Sequence, residues 1–501
     1  MGKCFVPLVP VIAFLIVGTI ILIVGAILTP VFVDILHNEF KTLLPMSNES
    51  ATLDTWEDPR DSVDMYMKFY FFNLENPTEV AAGGKPHVTQ KGPFVYEEIK
   101  VKENVTFDTE SSTASFVSPR SMAVITMLDT LPIGQAVISA AIRMGFVTNE
   151  NLFKTLTVYE LLWGYKDNLM VDVSFLLKNV FHVSLPIPLD GYFGFFYKKN
   201  GTDDGLYTVK TGQDGLQQYM EITEWNHNKS LPYWKTKYCN MINGTDGTMY
   251  HPFIEKTESL SIFSSDLCRS INVIYNSQHF LQDVPQYRFK PPQSLFDYPP
   301  ENEDSACYCV GETCPHGGVL NISACQEGAP VFVSQPHFLN GDYYLNTIDG
   351  LNPNETLHNT FIDIEPTTGI VMKGAKRLQM NLAVQRNAYV SQLSEIRTML
   401  YPLLWLEESA MINDKGMETF KQMFFNIQQW ITFFSYLLIC VGGGIDALTL
   451  LYVLVKYLKH RKQQKELAKS VSPDANEQTP LLKPSLDVQQ DDNDWAKMIR
   501  T

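Results

Sequence analysis

Residues 7–33 read PLVPVIAFLIVGTIILIVGAILTPVFV, and residues 428–455 read QQWITFFSYLLICVGGGIDALTLLYVLV. The first run contains no charged residue, and the second contains only Asp446. A run of about 20 apolar residues is long enough to cross a bilayer. These two runs therefore predict a transmembrane helix near each end of the chain, with a large segment between them.

Charge predicts the orientation of the two spans. Six basic residues follow the second run closely: Lys456, Lys459, Arg461, Lys462, Lys465 and Lys469. Basic residues beside a span are retained in the cytosol. We therefore expect cytosolic tails at residues 1–6 and 456–501 and a lumenal or extracellular ectodomain at residues 34–421. A cleaved signal peptide is the alternative for the first run, although its apolar region would be only about 7–15 residues long.

Composition and glycosylation acceptors agree with this topology. The formal charge of -16 argues against nucleic-acid binding, which needs a basic surface. No Gly/Ser- or Pro-rich linker divides residues 34–421, so we expect a single large ectodomain. All the Asn-x-Ser/Thr acceptors lie between the spans, as expected for a segment in the secretory lumen. They begin at Asn48, Asn104, Asn200, Asn228, Asn243, Asn321 and Asn354.

The cysteines fall into two groups. Six of the eight lie in the predicted ectodomain, where an even number in an oxidising compartment predicts three disulfides among 15 pairings. A zinc site at Cys307, Cys309, Cys314 and His316 is the alternative, but the spacing of the first two differs from that of structural zinc sites. Outside the ectodomain, Cys4 is a candidate for palmitoylation, and Cys440 lies within the second span.

Hydrophobic periodicity predicts a mixed α+β ectodomain that is dominated by strands. A helix is expected from Asp58 to Asn76, and a strand pair from His87 to Lys102. Helical spacing returns after Pro132, and Thr157 with Glu160 forms a capping box. Beyond Gly164 the chain has short strands and turns that are typical of an antiparallel barrel or sandwich.

Several motifs, in order along nearly the whole chain, resemble those of the class B scavenger receptors. They are Asn76-Pro77, Lys91-Gly92-Pro93-Phe94-Val95-Tyr96-Glu97-Glu98, Glu160-Leu161-Leu162-Trp163-Gly164-Tyr165, Cys239 to Gly247, Ile262-Phe263 with Asp266-Leu267-Cys268-Arg269-Ser270-Ile271, and Ile362-Asp363-Ile364-Glu365-Pro366 with Gly369. The resemblance implies an antiparallel β-barrel core, an apical helical bundle at residues 132–165, and an apolar tunnel that leads toward the bilayer.

The resemblance also implies site residues. It pairs Cys239 with Cys307, Cys268 with Cys325, and Cys309 with Cys314. Near the apex, the segment that contains Leu152, Phe153 and Lys154 resembles the binding helix of the family's lysosomal member, which carries a hydrolase. No tunnel-lining residue can be named, because sequence does not distinguish a tunnel wall from an ordinary core.

The resemblance implies a receptor or transporter for sterol, fatty acid or phospholipid, with no cofactor. A surface receptor for lipoproteins, microbes or apoptotic cells and a carrier of a lysosomal hydrolase are the alternatives. We do not expect an enzyme, because the chain has no Gly-x-Ser-x-Gly and no His-Glu-x-x-His motif.

The C-terminal tail and the second span add two expectations about partners. Glu477, Leu481 and Leu482 have the form of a dileucine signal that clathrin adaptors read, which predicts delivery to lysosomes or late endosomes rather than the plasma membrane. Asp446 is expected to contact the first span or a second protomer in a homo-oligomer. Hydration of its carboxylate at the membrane interface is the alternative.

Overall fold

A computed structural model of the chain describes residues 7–50, 53–124, 132–138, 153–166, 191–326, 328–388 and 391–470. The chain divides into two units, one containing residues 7–31 and 431–470 and the other residues 32–430. The α-helices of the described residues are α1 (Leu8–Leu43), α2 (Leu53–Glu57), α3 (Pro77–Ala81), α4 (Val158–Trp163), α5 (Asp342–Leu345), α6 (Glu355–His358), α7 (Asp414–Phe420) and α8 (Asn426–Ser470). Helices α1 and α8 are both long and apolar enough to cross a membrane.

Strands contain more residues than helices in the described part of the second unit, as predicted. They are β1 (Val63–Leu74), β2 (Val88–Lys100), β3 (Glu103–Asp108), β4 (Thr113–Val117), β5 (Arg120–Val124), β6 (Pro132–Ile138), β7 (Phe153–Thr157), β8 (Tyr165–Lys166), β9 (Tyr192–Phe193), β10 (Leu206–Lys210), β11 (Ile222–Trp225), β12 (Ser259–Ser264), β13 (Arg269–Leu281), β14 (Val284–Lys290), β15 (Val319–Asn321), β16 (Val331–Ser334), β17 (Phe361–Ile364), β18 (Val371–Val384) and β19 (Met399–Ile412).

The largest sheet is antiparallel and open. Its strands follow the order β12-β13-β14-β17-β18-β19-β1-β2-β5, with β16 also paired to β18 and β15 to β16. Within the described residues no closed barrel is found, so the predicted barrel core is corrected to an open sheet.

Each end of the sheet is covered by other parts of the chain. At β5, the side-chain amide of Asn200 accepts from Met122 N at 2.8 Å and donates to Met122 O at 3.4 Å. Beside β12, Thr245 forms a parallel bridge with Ile262. Contacts of this kind occupy backbone groups that a further strand would need.

Strand β1 lies where a helix was predicted, and that prediction was wrong. The strand is paired with β19 on one side and β2 on the other. Met67, Phe69 and Phe71 pack into one apolar cluster, whereas Phe72 and Leu74 pack into another. Because both faces of β1 are buried, its sequence lacks the polar–apolar alternation that identifies a half-exposed strand.

Where a helix was predicted after Pro132, the described residues Pro132–Ile138 form strand β6, which pairs with β7. The β-branched residues Ile133, Val137 and Ile138 favour a strand, and Gly134 disfavours a helix. The second expected helix is confirmed as α4, which begins with the capping box of Thr157 and Glu160. Residues 139–152 of the expected apical bundle lie outside the described residues.

Three disulfides join the six ectodomain cysteines in the pairs that the resemblance implies. Cys239 is bonded to Cys307, with their Cα atoms 6.2 Å apart, and Cys268 to Cys325, with 6.3 Å between Cα atoms. The third bridge joins Cys309 and Cys314 across a separation of only five residues. Because these sulfurs are bonded to one another, the alternative of a zinc site at Cys307, Cys309 and Cys314 no longer applies.

In the first unit, α1 and α8 pack closely through glycines and polar side chains. A Cβ atom on Gly442 would lie 2.6 Å from the carbonyl oxygen of Gly18. Thr19 Oγ1 donates to Asp446 Oδ2 at 3.1 Å, so Asp446 contacts the first span, one of the two outcomes expected for it. Toward the other end of the pair, Thr29 Oγ1 donates to Ser435 Oγ at 3.0 Å. Small residues permit such close helix approach in a membrane.

Leucine at Gly442 should separate α1 from α8, because the added side chain would meet the backbone of α1. In a chain that carries Thr29→Cys and Ser435→Cys, with Cys440 replaced by Ala, we expect Gly442→Leu to lower the yield of oxidative cross-linking several-fold. Gly444→Leu is the matched control, since nothing lies within 4 Å of a Cβ atom at that position. Equal cross-linking in the two variants would contradict this packing.

Candidate functional site

A cavity of about 240 Å³ lies within the second unit, and strands from both ends of the open sheet line it. Its wall includes residues of β2 and β5 near one end and of β12 and β13 near the other. Most of this wall is apolar, with contributions from Phe116, Phe263, Leu267, Ile271, Val273, Phe289, Phe296, Ile362 and Leu378. Such a wall suits the apolar body of a ligand.

Strand alternation places charged side chains in the same cavity. Because side chains point alternately to the two faces of a strand, Gly374, Lys376 and Leu378 of β18 share one face. All three line the cavity, as do Glu408 and Ala410 of the neighbouring strand β19. Glu98 and Lys100 of β2 follow the same spacing of two residues.

The charged residues form one connected cluster. Arg120 Nη2 donates to Glu408 Oε1 at 3.3 Å, and Arg120 Nε lies 2.7 Å from Glu98 Oε1. Lys376 Nζ lies 2.5 Å from Asp266 Oδ2 and 3.3 Å from Glu408 Oε2. Lys100 Nζ also lies 3.8 Å from Glu408 Oε1, so Glu408 is shared by three cations.

Burial and neighbouring charge move the carboxyl groups of the cluster in opposite directions. Burial, followed by the charge of Glu408, raises the pKa of Glu98 to about 7. Burial also acts to raise the pKa of Glu408, but Arg120 and Lys376 outweigh it and hold that pKa below its usual range. The ammonium of Lys376 lowers the pKa of Asp266. Glu98 is therefore the carboxyl that changes its protonation near neutral pH.

Two polar atoms of the cavity wall lack hydrogen bonds within the described part of the chain. Glu98 Oε1 accepts none, although the guanidinium of Arg120 is close, so that contact is an ion pair without a directed hydrogen bond. Ser264 Oγ also has no partner there. Buried polar groups of this kind are uncommon in folded proteins.

A second, smaller cavity of about 180 Å³ is lined mainly by residues near the beginning and the end of the second unit. Its lining combines Leu36 and Phe40 of α1 with the aromatic run around α7 and the turn after β17: Phe420, Met423, Phe424, Phe425, Glu365, Thr367 and Thr368. It shares no lining residue with the first cavity. The tunnel implied by the resemblance therefore stays a prediction.

The predicted site residues are spread over the molecule. Six of the seven glycosylation acceptors are exposed, whereas Asn321 is half-buried in β15. Phe153 and Lys154 lie on strand β7 rather than on the expected binding helix, and Lys154 Nζ lies 5.8 Å from the ring centre of Tyr165. Outside the described residues lie Cys4, Leu152, Glu477, Leu481 and Leu482. None of the described predicted residues lines the main cavity.

Sequence reasoning missed the charged cluster, although a signal was present. Glu98 and Lys100 are spaced by two within a predicted strand, which places both on one face. The adjacent pair Glu407 and Glu408 interrupts an otherwise apolar strand. Charged residues in strands that are buried on both faces are costly unless paired, so they mark positions where partners should be sought.

Glu98 should make the protein more stable as the pH falls. Because its pKa is higher in the folded chain than the usual 4.5, its contribution is present below pH 4.5 and is lost as the pH rises through about 7. Glu98→Gln should remove this dependence. The free energy of unfolding of wild type should therefore rise by on the order of 3 kcal/mol, relative to that of the variant, as the pH falls from 8 to 4.5. Thermal unfolding of the full-length protein across this range measures the difference.

The matched control is Glu97→Gln, because Glu97 is the neighbouring residue of the same strand and is exposed. Its unfolding curve should follow that of wild type at every pH. Parallel pH curves for wild type and Glu98→Gln would contradict a buried, proton-binding Glu98 beside Arg120, Lys100, Lys376 and Glu408.

Comparisons with known proteins agree with this architecture. The family model described as the CD36 family matches residues 16–453. Lysosome membrane protein 2 of Homo sapiens is 35% identical over 469 residues, which cover 88% of this chain and 93% of the relative. Scavenger receptor class B member 1 of Cricetulus griseus is 32% identical over 465 residues, which cover 88% of each chain. With two terminal apolar helices, three disulfides and a match over nearly its whole length, the chain belongs to the CD36 family of membrane proteins.

Proposed function

We propose that this chain is a membrane receptor that binds lipid in its main cavity and passes it toward the bilayer. The observation that carries the proposal is a largely apolar cavity inside a unit whose two ends continue into membrane-spanning helices. Each buried CH2 group of a lipid gains about 0.8 kcal/mol, so an apolar wall removes much of the cost of carrying a lipid across water. The proposed ligands are sterols, fatty acids and phospholipids.

The second cavity supports transfer of lipid toward the bilayer. It is lined by Phe40, Phe420, Phe424 and Phe425, which are only a few residues from the apolar spans. An apolar space beside the points where the chain enters the bilayer suits the release of a lipid. No covalent chemistry is required of the protein in this role.

A lysosomal or late endosomal location is proposed on two grounds. The relative of Homo sapiens is named as a lysosome membrane protein, and the tail contains the dileucine-type signal at Glu477, Leu481 and Leu482. The relative of Cricetulus griseus is named as a scavenger receptor, and it favours the second candidate, a scavenger receptor at the cell surface. Carriage of a lysosomal hydrolase would appear as an intact enzyme that co-purifies with the full-length protein.

Filling the main cavity should reduce the lipid that co-purifies with the protein. Gly374 lines this cavity, and a Cβ atom there would make only ordinary contacts, at 3.8 Å or more, so Gly374→Trp should direct its ring into the space. We expect mass spectrometry to find sterol, fatty acid or phospholipid bound to the full-length wild type and several-fold less bound to the variant.

Lys373→Trp is the matched control for this experiment, because the adjacent side chain points to the other face of β18 and does not line the cavity. Its lipid content should equal that of wild type. The proposal fails if wild type carries no lipid, or if Gly374→Trp carries as much as wild type does.

Replacing Leu481 and Leu482 by Ala should move the protein to the cell surface, because an adaptor groove requires the leucine pair. Surface biotinylation should then show a several-fold higher surface fraction. Leu486→Ala is the control, since it removes a leucine of the same tail outside the motif. Unchanged lysosomal staining of the double variant would contradict delivery by this signal.

A further inference from the structure

Arg269 is a buried cation without an acidic partner in the described part of the chain. It begins strand β13 and is only 7% exposed, and its Nε has no hydrogen-bond partner there. Burial lowers the pKa of its guanidinium, and the groups that oppose this shift are tyrosines, Tyr308, Tyr298 and Tyr238, rather than carboxylates. An unpaired buried charge is costly, so this position lacks a negative charge.

Two other arginines show how the fold satisfies a guanidinium that is partly removed from water. Arg288 Nη2 lies 2.6 Å from Asp363 Oδ2, and Arg377 Nε lies 2.7 Å from Glu407 Oε2. Both of these arginines are half-buried, whereas Arg269 is buried. Arg269 is therefore the more deeply buried residue, and it lacks the kind of partner that each of the others has.

The surroundings of Arg269 leave hydrogen-bond donors available. The guanidinium carbon Cζ lies 3.6 Å from the centre of the Tyr308 ring, so this ring covers one face of the planar group. The N–H bonds lie in the plane of the guanidinium and remain available to an acceptor at its edge. Tyr298 accepts from Asn321 N at 3.2 Å, and its own O–H has no acceptor among the described residues. Both donors suit an anion.

The position favours a small ion over a larger acidic group. Arg269 lines neither cavity, although Leu267 and Ile271 on either side of it line the main one. Tyr298 and Tyr308 beside it are themselves buried. A lipid head group or an acidic side chain would have to displace these rings, whereas a compact monovalent anion needs about the room of one water molecule.

We propose that Arg269 binds a chloride ion, which accepts hydrogen bonds from the edge of the guanidinium and from the hydroxyl of Tyr298. The ion neutralises the buried charge next to the bridge between Cys268 and Cys325. It therefore stabilises the end of the large sheet where β13 begins. This inference is independent of the proposed lipid-binding function, because the site lies outside both cavities.

The test is a chloride titration of the full-length protein in detergent, in which sodium chloride replaces sodium gluconate at constant ionic strength. A ligand that binds only the folded chain stabilises it, so the unfolding temperature should rise saturably, by at least about 2 °C between zero and about 150 mM chloride. Broadening of the chloride NMR signal by the protein measures binding directly.

Variants assign both responses to Arg269. Arg269→Met should abolish the rise in unfolding temperature and the line broadening. Arg386→Met is the matched control, because it removes an exposed arginine, and it should keep both responses of wild type. Absence of a chloride response in wild type overturns the inference whether or not any variant folds, and so does a response that persists in Arg269→Met.

Arg269→Lys decides the question where Arg269→Met fails to fold. Lysine keeps the charge but lacks the planar set of N–H donors. The chloride concentration at half-saturation should therefore rise several-fold in Arg269→Lys. An unchanged half-saturation would place the chloride site elsewhere and overturn the inference.

Discussion

The fold depends on ion pairs that connect the two open ends of the sheet to its middle. Arg120 begins the end strand β5 and contacts Glu408 of the central strand β19. Asp266 follows the opposite end strand β12 and contacts Lys376 of β18. Strand hydrogen bonds do not close this sheet, so the charged cluster links its ends across the cavity. Solvent screens the pair of Asp266 and Lys376, whose side chains are 50% and 31% exposed, more than the pair of Arg120 and Glu408, which are 21% and 19% exposed.

A charged residue is also paired on the opposite face of the same strands. Glu407 is adjacent to Glu408 and therefore points to the opposite side of β19. Its carboxylate accepts hydrogen bonds at 2.7 Å from Lys68 of β1 and from Arg377 of β18, the residues directly opposite it in the two neighbouring strands. A slip of one residue in either pairing would exchange the two glutamates between faces. The two charged groups therefore help to fix the register.

Buried titratable groups give the ectodomain two opposing responses to acid. The rings of His337 and His358 stack with their centres 4.4 Å apart, and burial lowers their pKa values to about 3 and about 4. Since both stay neutral when folded, they cost stability as the pH falls below 6.5. Glu98 acts in the opposite direction over much of the same range.

The sequence predicted features that depend on local chemistry and missed those that depend on tertiary context. The two spans were predicted from the length of the apolar runs, and the capping box at Thr157 was predicted from four adjacent residues. Strand β1 was wrongly predicted as a helix, because burial on both faces removes the alternation of polar and apolar residues that identifies a strand. The cavity could not be predicted at all, since Glu98, Arg120 and Lys376 come together only when distant strands of the sheet face one space.

The separation of the two cavities limits how a lipid could travel between them. Strand β17 and the turn after it contribute Ile362 to the first cavity and Glu365 to the second, about 10 Å apart along an extended chain. Between them Ile364 is fully buried and packs in one cluster with Tyr250, Ile254 and Phe289. Glu365 is itself held by hydrogen bonds from Thr367 and Thr368. Transfer would therefore require this apolar cluster to open, whereas binding in the main cavity would not. Under the proposed function, release of a lipid would therefore need a change in packing that its binding does not need.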